Sequence, residues 1–162
     1  MTKETMLREA AKYGAYSCEA CKPLVDIMFG EQCSCVVRRG DEIRLFREPG
    51  VRDLYRLLHE EPEWLRGAFV ADRVVGKGAA ALMVLGGVRK IFADVISFPA
   101  LELLNNSGIP VSYTLSVERI ENRSRSGLCP VETRCMRCTT PEECLAEIEA
   151  FMAENTPPRK QA

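Results

Sequence analysis

The chain is poor in the residues on which most catalytic chemistry is built. It holds a single histidine, His59, and a single tryptophan, Trp64, among 162 residues. Histidine-based catalysis therefore rests on one residue in a charged segment, and no Ser-His-Asp arrangement can be assembled around it. Long apolar runs are missing too. The longest, 78–88, falls well short of the roughly 20 residues that cross a bilayer. Neither sign of charge dominates, with 22 Lys and Arg against 23 Asp and Glu and a net charge of -1. A dominant nucleic-acid footprint needs a basic surplus, so neither nucleic acid nor membrane is an expected partner.

The first residues lack the apolar stretch of a signal peptide, because Lys3, Glu4, Arg8, Glu9 and Lys12 interrupt them. A cytoplasmic location with reduced thiols is expected, which leaves the sequons at Asn105 and Asn122 as chance. Eight cysteines are too few for a secreted disulfide scaffold of this length. In a reducing compartment they raise the question of metal or reactivity instead.

What is present reads as one α/β domain. Residues 3–13 have the texture of a short helix, and 1–22 form an N-terminal extension. The domain itself spans 23–155, and 156–162 is a polar tail expected to be disordered. A helix follows Pro23. Residues 34–37 and 42–45 flank a turn with Gly40 and Asp41 and predict a hairpin. Val51, Leu54, Tyr55, Leu57 and Leu58 keep helical spacing over 51–59, and one more turn follows Pro62. Then come a short strand at 68–71, an Ala-rich helix at 78–85 closed by Gly86-Gly87, and a strand at 90–96. Ser97 caps a helix over 98–106, stopped by Gly108, and a strand begins at Val111. This β-α-β-α-β order predicts a parallel sheet. Past Ile120 a basic loop leads to a helix start at Pro130. Thr140-Pro141-Glu142-Glu143 is a capping box that opens a last helix.

Two motifs invite functional readings and fail. A P-loop needs Gly at its first position and Ser or Thr after the Lys, where Ala71 and Gly78 stand around Lys77. The zinc deaminase pattern pairs H-x-E with P-C-x-x-C. His59-Glu60-Glu61 closes a helix rather than opening one, and Arg134 replaces the Pro before Cys135 and Cys138.

A hairpin, a helix, then alternating strands and helices resembles the cytidine deaminase-like fold, a three-layer α/β/α architecture. The texture goes further. Residues 33–58, the block Ala71 to Ala80 with Leu85-Gly86-Gly87-Val88, Val95-Ile96-Ser97 with Ala100-Leu101, and Asn122-Arg123 with Gly127 and Cys129-Pro130-Val131-Glu132 resemble a prokaryotic family, domain of unknown function 1893. The likeness covers about 24–150. It implies a deaminase-like fold without deaminase chemistry. The helix starts that carry zinc ligands in that fold here hold Gly76-Lys77-Gly78 and Pro99-Ala100, none of which can bind zinc in that way. Gly78 stands where Ala is more usual in the family.

The residues that remain form two constellations. In the first, Lys77 follows a strand and opens a helix between Gly76 and Gly78, a place that favours anions. Asp72 ends that strand and can orient Lys77 or accept from a ribose hydroxyl. Ser97, Asn122, Arg123 and Gly127 complete a candidate ligand site, with Arg suited to phosphate or carboxylate. Cys129 at a helix start is the best nucleophile candidate, with Lys77 as an alternative amine and Glu132 as an acid–base partner. The second constellation is the pair of C-x-x-C motifs, Cys18 with Cys21 and Cys135 with Cys138, able to hold a structural zinc. Cys129, Cys135, Cys138 and Cys144 are a local alternative. Cys33 and Cys35 share a strand phase and read as core packing.

Three functions fit. The first is a binding protein for a nucleotide-like or phosphorylated small ligand, possible as a homo-oligomer. The second is a zinc-independent enzyme using Cys129 or Lys77. The third is a thiol-based redox or metal-binding protein.

Overall fold

The computed structural model describes residues 21–48, 50–121 and 127–155. The expected helix at 3–13, Cys18, Asn122, Arg123 and the tail lie outside them. Helix α1 (Lys22–Gly30) carries Pro23 in its first turn, where a missing N–H costs nothing, and buries Leu24, Val25 and Met28. Strands β1 (Cys35–Arg39) and β2 (Glu42–Phe46) form the hairpin. Gly40 turns it with φ +58, a conformation a side chain would strain.

Helix α2 (Arg52–Glu60) and a 3-10 turn (Pro62–Trp64) lead to β3 (Phe69–Val75). Then follow α3 (Lys77–Gly86), β4 (Lys90–Ser97), α4 (Phe98–Asn106), β5 (Val111–Val117), α5 (Pro130–Cys135) and α6 (Pro141–Asn155). The sheet runs β2-β1-β3-β4-β5. β1 lies antiparallel to both neighbours, and β3, β4 and β5 are parallel.

Both crossovers, through α3 and α4, step the same way across the sheet. Right-handed connections then place both helices on one face. Cys35, Val37, Val70 and Ala93 turn to that face, and Val36, Ala71 and Phe92 turn to α1 on the other. The result is a mixed α/β architecture with a helical layer on each face of the sheet.

Helix α3 is the centre of the thicker layer. α2, α4, α5 and α6 all pack against it. Gly78, Ala79, Ala80, Ala81, Leu82, Met83 and Gly86 are buried. Its small residues set how near the neighbours come. A Cβ on Gly78 would stand 2.5 Å from Val131 Cγ1, and one on Gly86 would stand 2.7 Å from Leu65 Cβ.

Three expectations need correction. β3 runs to Val75 rather than stopping at Ala71, so Asp72 lies inside the strand, opposite Cys35 and Ala93. A polar pair survives mid-strand because Asp72 meets a cavity and Arg73 finds acceptors. The Arg73 guanidinium donates to Cys33 O at 2.8 Å and to Met28 O at 3.4 Å, and lies over the Phe29 ring. Cys33 and Cys35 do not face one way. β1 begins at Cys35, and Cys33, before it, packs under α1 while Cys35 faces the α3 side. Finally, the capping box closes one residue early. Thr140 Oγ1 accepts from Glu143 N at 3.2 Å, but the Glu143 carboxylate returns to Thr139, not Thr140.

Gly78→Ala should destabilise the fold by about 1–3 kcal/mol through overpacking against Val131. Gly30→Ala, whose Cβ meets nothing within 4 Å, should instead gain about 0.5 kcal/mol. Urea denaturation of the two variants checks both signs.

Candidate functional site

A cavity of about 750 Å³ opens where β3 approaches α3. Three helix starts border it: Val51 to Leu54 of α2, Gly76, Gly78 and Ala79 of α3, and Cys129 to Glu132 of α5. Its walls are mostly apolar, with Val51, Leu54, Ala79, Ile120, Val131 and Phe151 among them. Against this lining stand the carboxylates of Glu48, Asp53, Asp72, Glu121 and Glu132, with Arg52 and Arg73 as cations among them.

Asp72 is 7% exposed. Burial pushes its carboxyl up to about 7, against which hydrogen bonds from the Val74 and Arg73 backbone N–H groups act, and the charge of Asp53 adds to the rise. The Val74 bond to Oδ1 is 3.4 Å. Burial also raises Asp53, whose Oδ2 accepts from Glu48 N at 3.2 Å. Cys35, Asp72's neighbour across β1, is held well above the ordinary thiol range by burial and by the same two carboxylates. The thiol therefore stays neutral.

Glu132 is 2% exposed. Its Oε2 accepts from Ile120 N at 2.5 Å, and its Oε1 is buried with no hydrogen-bond partner among the described residues. The carboxylate lies against Gly76, where a Cβ would come within 3.7 Å of Oε2. Gly76 caps α3 in an extended conformation and offers no side-chain cap to the first turn. The N–H groups at that start therefore have no side-chain acceptor.

The expected residues divide. Asp72, Gly76, Gly78, Cys129 and Glu132 line the cavity together. Gly78 does so from beneath Val131, which makes close packing its first role. Lys77 is not part of the lining. Its Nζ donates to Cys138 O and, at 3.4 Å, to Met136 O. It ties the start of α3 to the turn between α5 and α6, because alternate residues of a helix start point apart. Asp72 does not orient it. Ser97 is a helix cap, fully buried, with its hydroxyl accepting from Ala100 N at 3.3 Å. Gly127 is exposed and outside the lining. Cys129 is half-buried and makes no side-chain cap bond.

Cys21, the described member of the first cysteine pair, does not meet the second pair. Cys21 is buried under α1 with Leu24, Met28 and Cys33, whereas Cys135 and Cys138 lie in the core on the α3 side. The sheet stands between, so a zinc shared by Cys21, Cys135 and Cys138 does not fit. Among the described residues no group of three His, Cys, Asp or Glu is arranged to hold a metal ion. Cys135 Sγ instead donates to Cys144 O at 3.9 Å, and Cys138 Sγ to Arg134 O at 4.0 Å. The neighbouring Cys135 and Cys138 thiols and the Lys77 charge lower Cys144 to about 7, whereas burial and the neighbouring Cys144 raise Cys138 to about 11 against the Lys77 charge.

Asp53 and Glu48 are among the charged cavity residues that sequence reasoning missed, with Arg52, Arg73 and Glu121. The available signal was Gly50-Val51-Arg52-Asp53, a turn followed by an acidic first helical turn.

Asp72 binds its proton more tightly in the folded chain, at about 7 against 3.8 for an unburied carboxyl. Between those values folding takes up a proton, so raising the pH through this window costs stability, in full above pH 7. Asp72→Asn should therefore stabilise the protein at pH 8 by up to about 4 kcal/mol, with the gain shrinking toward pH 4. Urea denaturation at pH 5 and pH 8 measures it, and an equal effect at both would contradict the assignment.

No curated protein matches the chain. Among solved structures it is similar to the DUF1893 family protein TM1506 from Thermotoga maritima. Identity is 25%, the match covers 93% of this chain and 92% of that one, and the TM-score is 0.71. The family described as domain of unknown function 1893 matches over residues 24–152, which includes every element from α1 to α6 that borders the cavity. This chain belongs to the DUF1893 family.

Proposed function

We propose that the protein binds a small nucleotide-like ligand in the cavity between β3, α2, α3 and α5. One observation carries the reading: Glu132 keeps a buried carboxylate oxygen without a partner among the described residues, beside a cavity that Asp72 also lines. An unsatisfied buried acceptor costs about 1–3 kcal/mol, so such a group is retained where a ligand supplies the missing donor. The amino and imino edge of a nucleobase offers N–H donors to both carboxyls. The apolar walls suit its ring faces, and about 750 Å³ suits a ligand of nucleoside size. Near neutral pH Asp72 can either accept a hydrogen bond or, protonated, donate one. The uncapped start of α3 at Gly76 faces the same space and favours an anionic substituent.

Titration calorimetry and thermal shift with a panel of nucleobases, nucleosides and nucleoside monophosphates test the reading. At least one should bind and raise the melting temperature. Glu132→Gln and Asp72→Asn should each weaken it by tenfold or more, while Lys77→Ala leaves affinity nearly unchanged because Lys77 points away. If no member of the panel shifts the melting temperature, the reading fails.

A second reading, a covalent enzyme, rests on Cys129, which lines the same cavity half-exposed. Iodoacetamide near neutral pH should modify Cys129 before the buried thiols, and a bound ligand should protect it. Alkylation no faster than that of a free thiol would remove the enzymatic reading and leave the binding one.

A further inference from the structure

β5 is the last strand of the sheet, and among the described residues nothing pairs with its outer edge. One bond fixes which backbone groups face out. Ile91 N–H donates to the Pro110 carbonyl at 3.1 Å, so Pro110 faces β4. Along a strand alternate residues turn the same way. Ser112, Thr114 and Ser116 therefore point their N–H and C=O groups toward β4. Val111, Tyr113, Leu115 and Val117 point theirs outward, unpaired.

Sheets normally protect such an edge with charge, proline or a bulge. The opposite edge, β2, carries Glu42 and Arg44. β5 reads Val-Ser-Tyr-Thr-Leu-Ser-Val, with no charge, proline or glycine, and every one of its residues is only half-buried. The order is close to a palindrome centred on Thr114. A two-fold axis through Thr114, normal to the sheet, would lay a second copy antiparallel against it. Val111 then stands opposite Val117, Tyr113 opposite Leu115 and Ser112 opposite Ser116, with Thr114 facing its own counterpart.

The register agrees with the backbone. Tyr113/Leu115 and Val111/Val117 are the pairs whose outward N–H and C=O groups meet, so every unpaired group on the edge is satisfied at once. The Ser and Thr pairs fall between them, at the positions where side chains approach most closely and hydroxyls can bond across the strands. Thr114 Oγ1 has no partner among the described residues of its own chain. The seven paired positions appose no charges. We propose that β5 is a homodimer interface, joining two copies into one ten-stranded sheet. No β5 residue lines the cavity, so this inference stands apart from the ligand reading.

Analytical ultracentrifugation at tens of micromolar should give twice the 18.1 kDa chain mass. The double variant Ser112→Lys with Ser116→Lys sets like charges opposite one another and should sediment as a monomer. Ser112→Lys with Ser116→Glu sets each lysine opposite a glutamate of the other copy and should restore the dimer, which a misfolded variant could not do. On the unaltered protein, amide exchange at Tyr113 and Leu115 should slow as concentration rises. A monomeric wild type, a dimer indifferent to the like-charge variant, or fast exchange at those two amides in the dimer would each overturn the proposal.

Discussion

The close approach permitted by the small residues of α3 is the constraint on which the rest of the structure depends. Four helices pack against this one. With glycine at 78 and 86, Val131 and Leu65 come nearer than a methyl group would allow. α5 therefore settles low over the start of α3, and that position brings Glu132 against Gly76 and shapes one wall of the cavity. The packing of the core and the geometry of the site share a cause. An interior at crystalline density transmits a displaced methyl rather than absorbing it.

The second organising feature is the company of carboxyls at one end of a neutral core. The charge of Asp53 adds to the cost of ionising buried Asp72, and both carboxyls hold Cys35 neutral. A core optimised for stability alone would not carry Asp72 mid-strand or leave Glu132 Oε1 unbonded. Such groups accumulate where a site is maintained at the expense of stability. Lys77 belongs to the other account. By donating to carbonyls of the α5–α6 turn it holds the lid of helices over α3.

Most of the fold was legible in the sequence because its signals are local. Ser97 caps α4 as its spacing predicts, and the Ala-rich α3 ends at Gly87 in the left-handed conformation. The end of β3 was hidden because Asp72 and Arg73 look like a loop until their partners, a cavity and the carbonyls of Cys33 and Met28, are seen. Half the site was legible for the same reason: Gly76, Cys129 and Glu132 stand at helix starts marked by glycine or proline, and Asp72 lies a few residues before one of them. Asp53 was not, since an acidic residue in a first helical turn has an ordinary explanation in the helix dipole. The direction of Lys77 and the separation of Cys21 from Cys135 and Cys138 depend on which face of the sheet each element takes, which linear spacing does not encode.

Adjacent residues of β3 face opposite ways. Asp72 looks into the cavity, while Arg73 reaches through to the end of α1 and holds Met28 O and Cys33 O. One dipeptide of a central strand thus serves both faces of the sheet: its carboxyl stands in the cavity wall, and its guanidinium fastens the end of α1 to the strand.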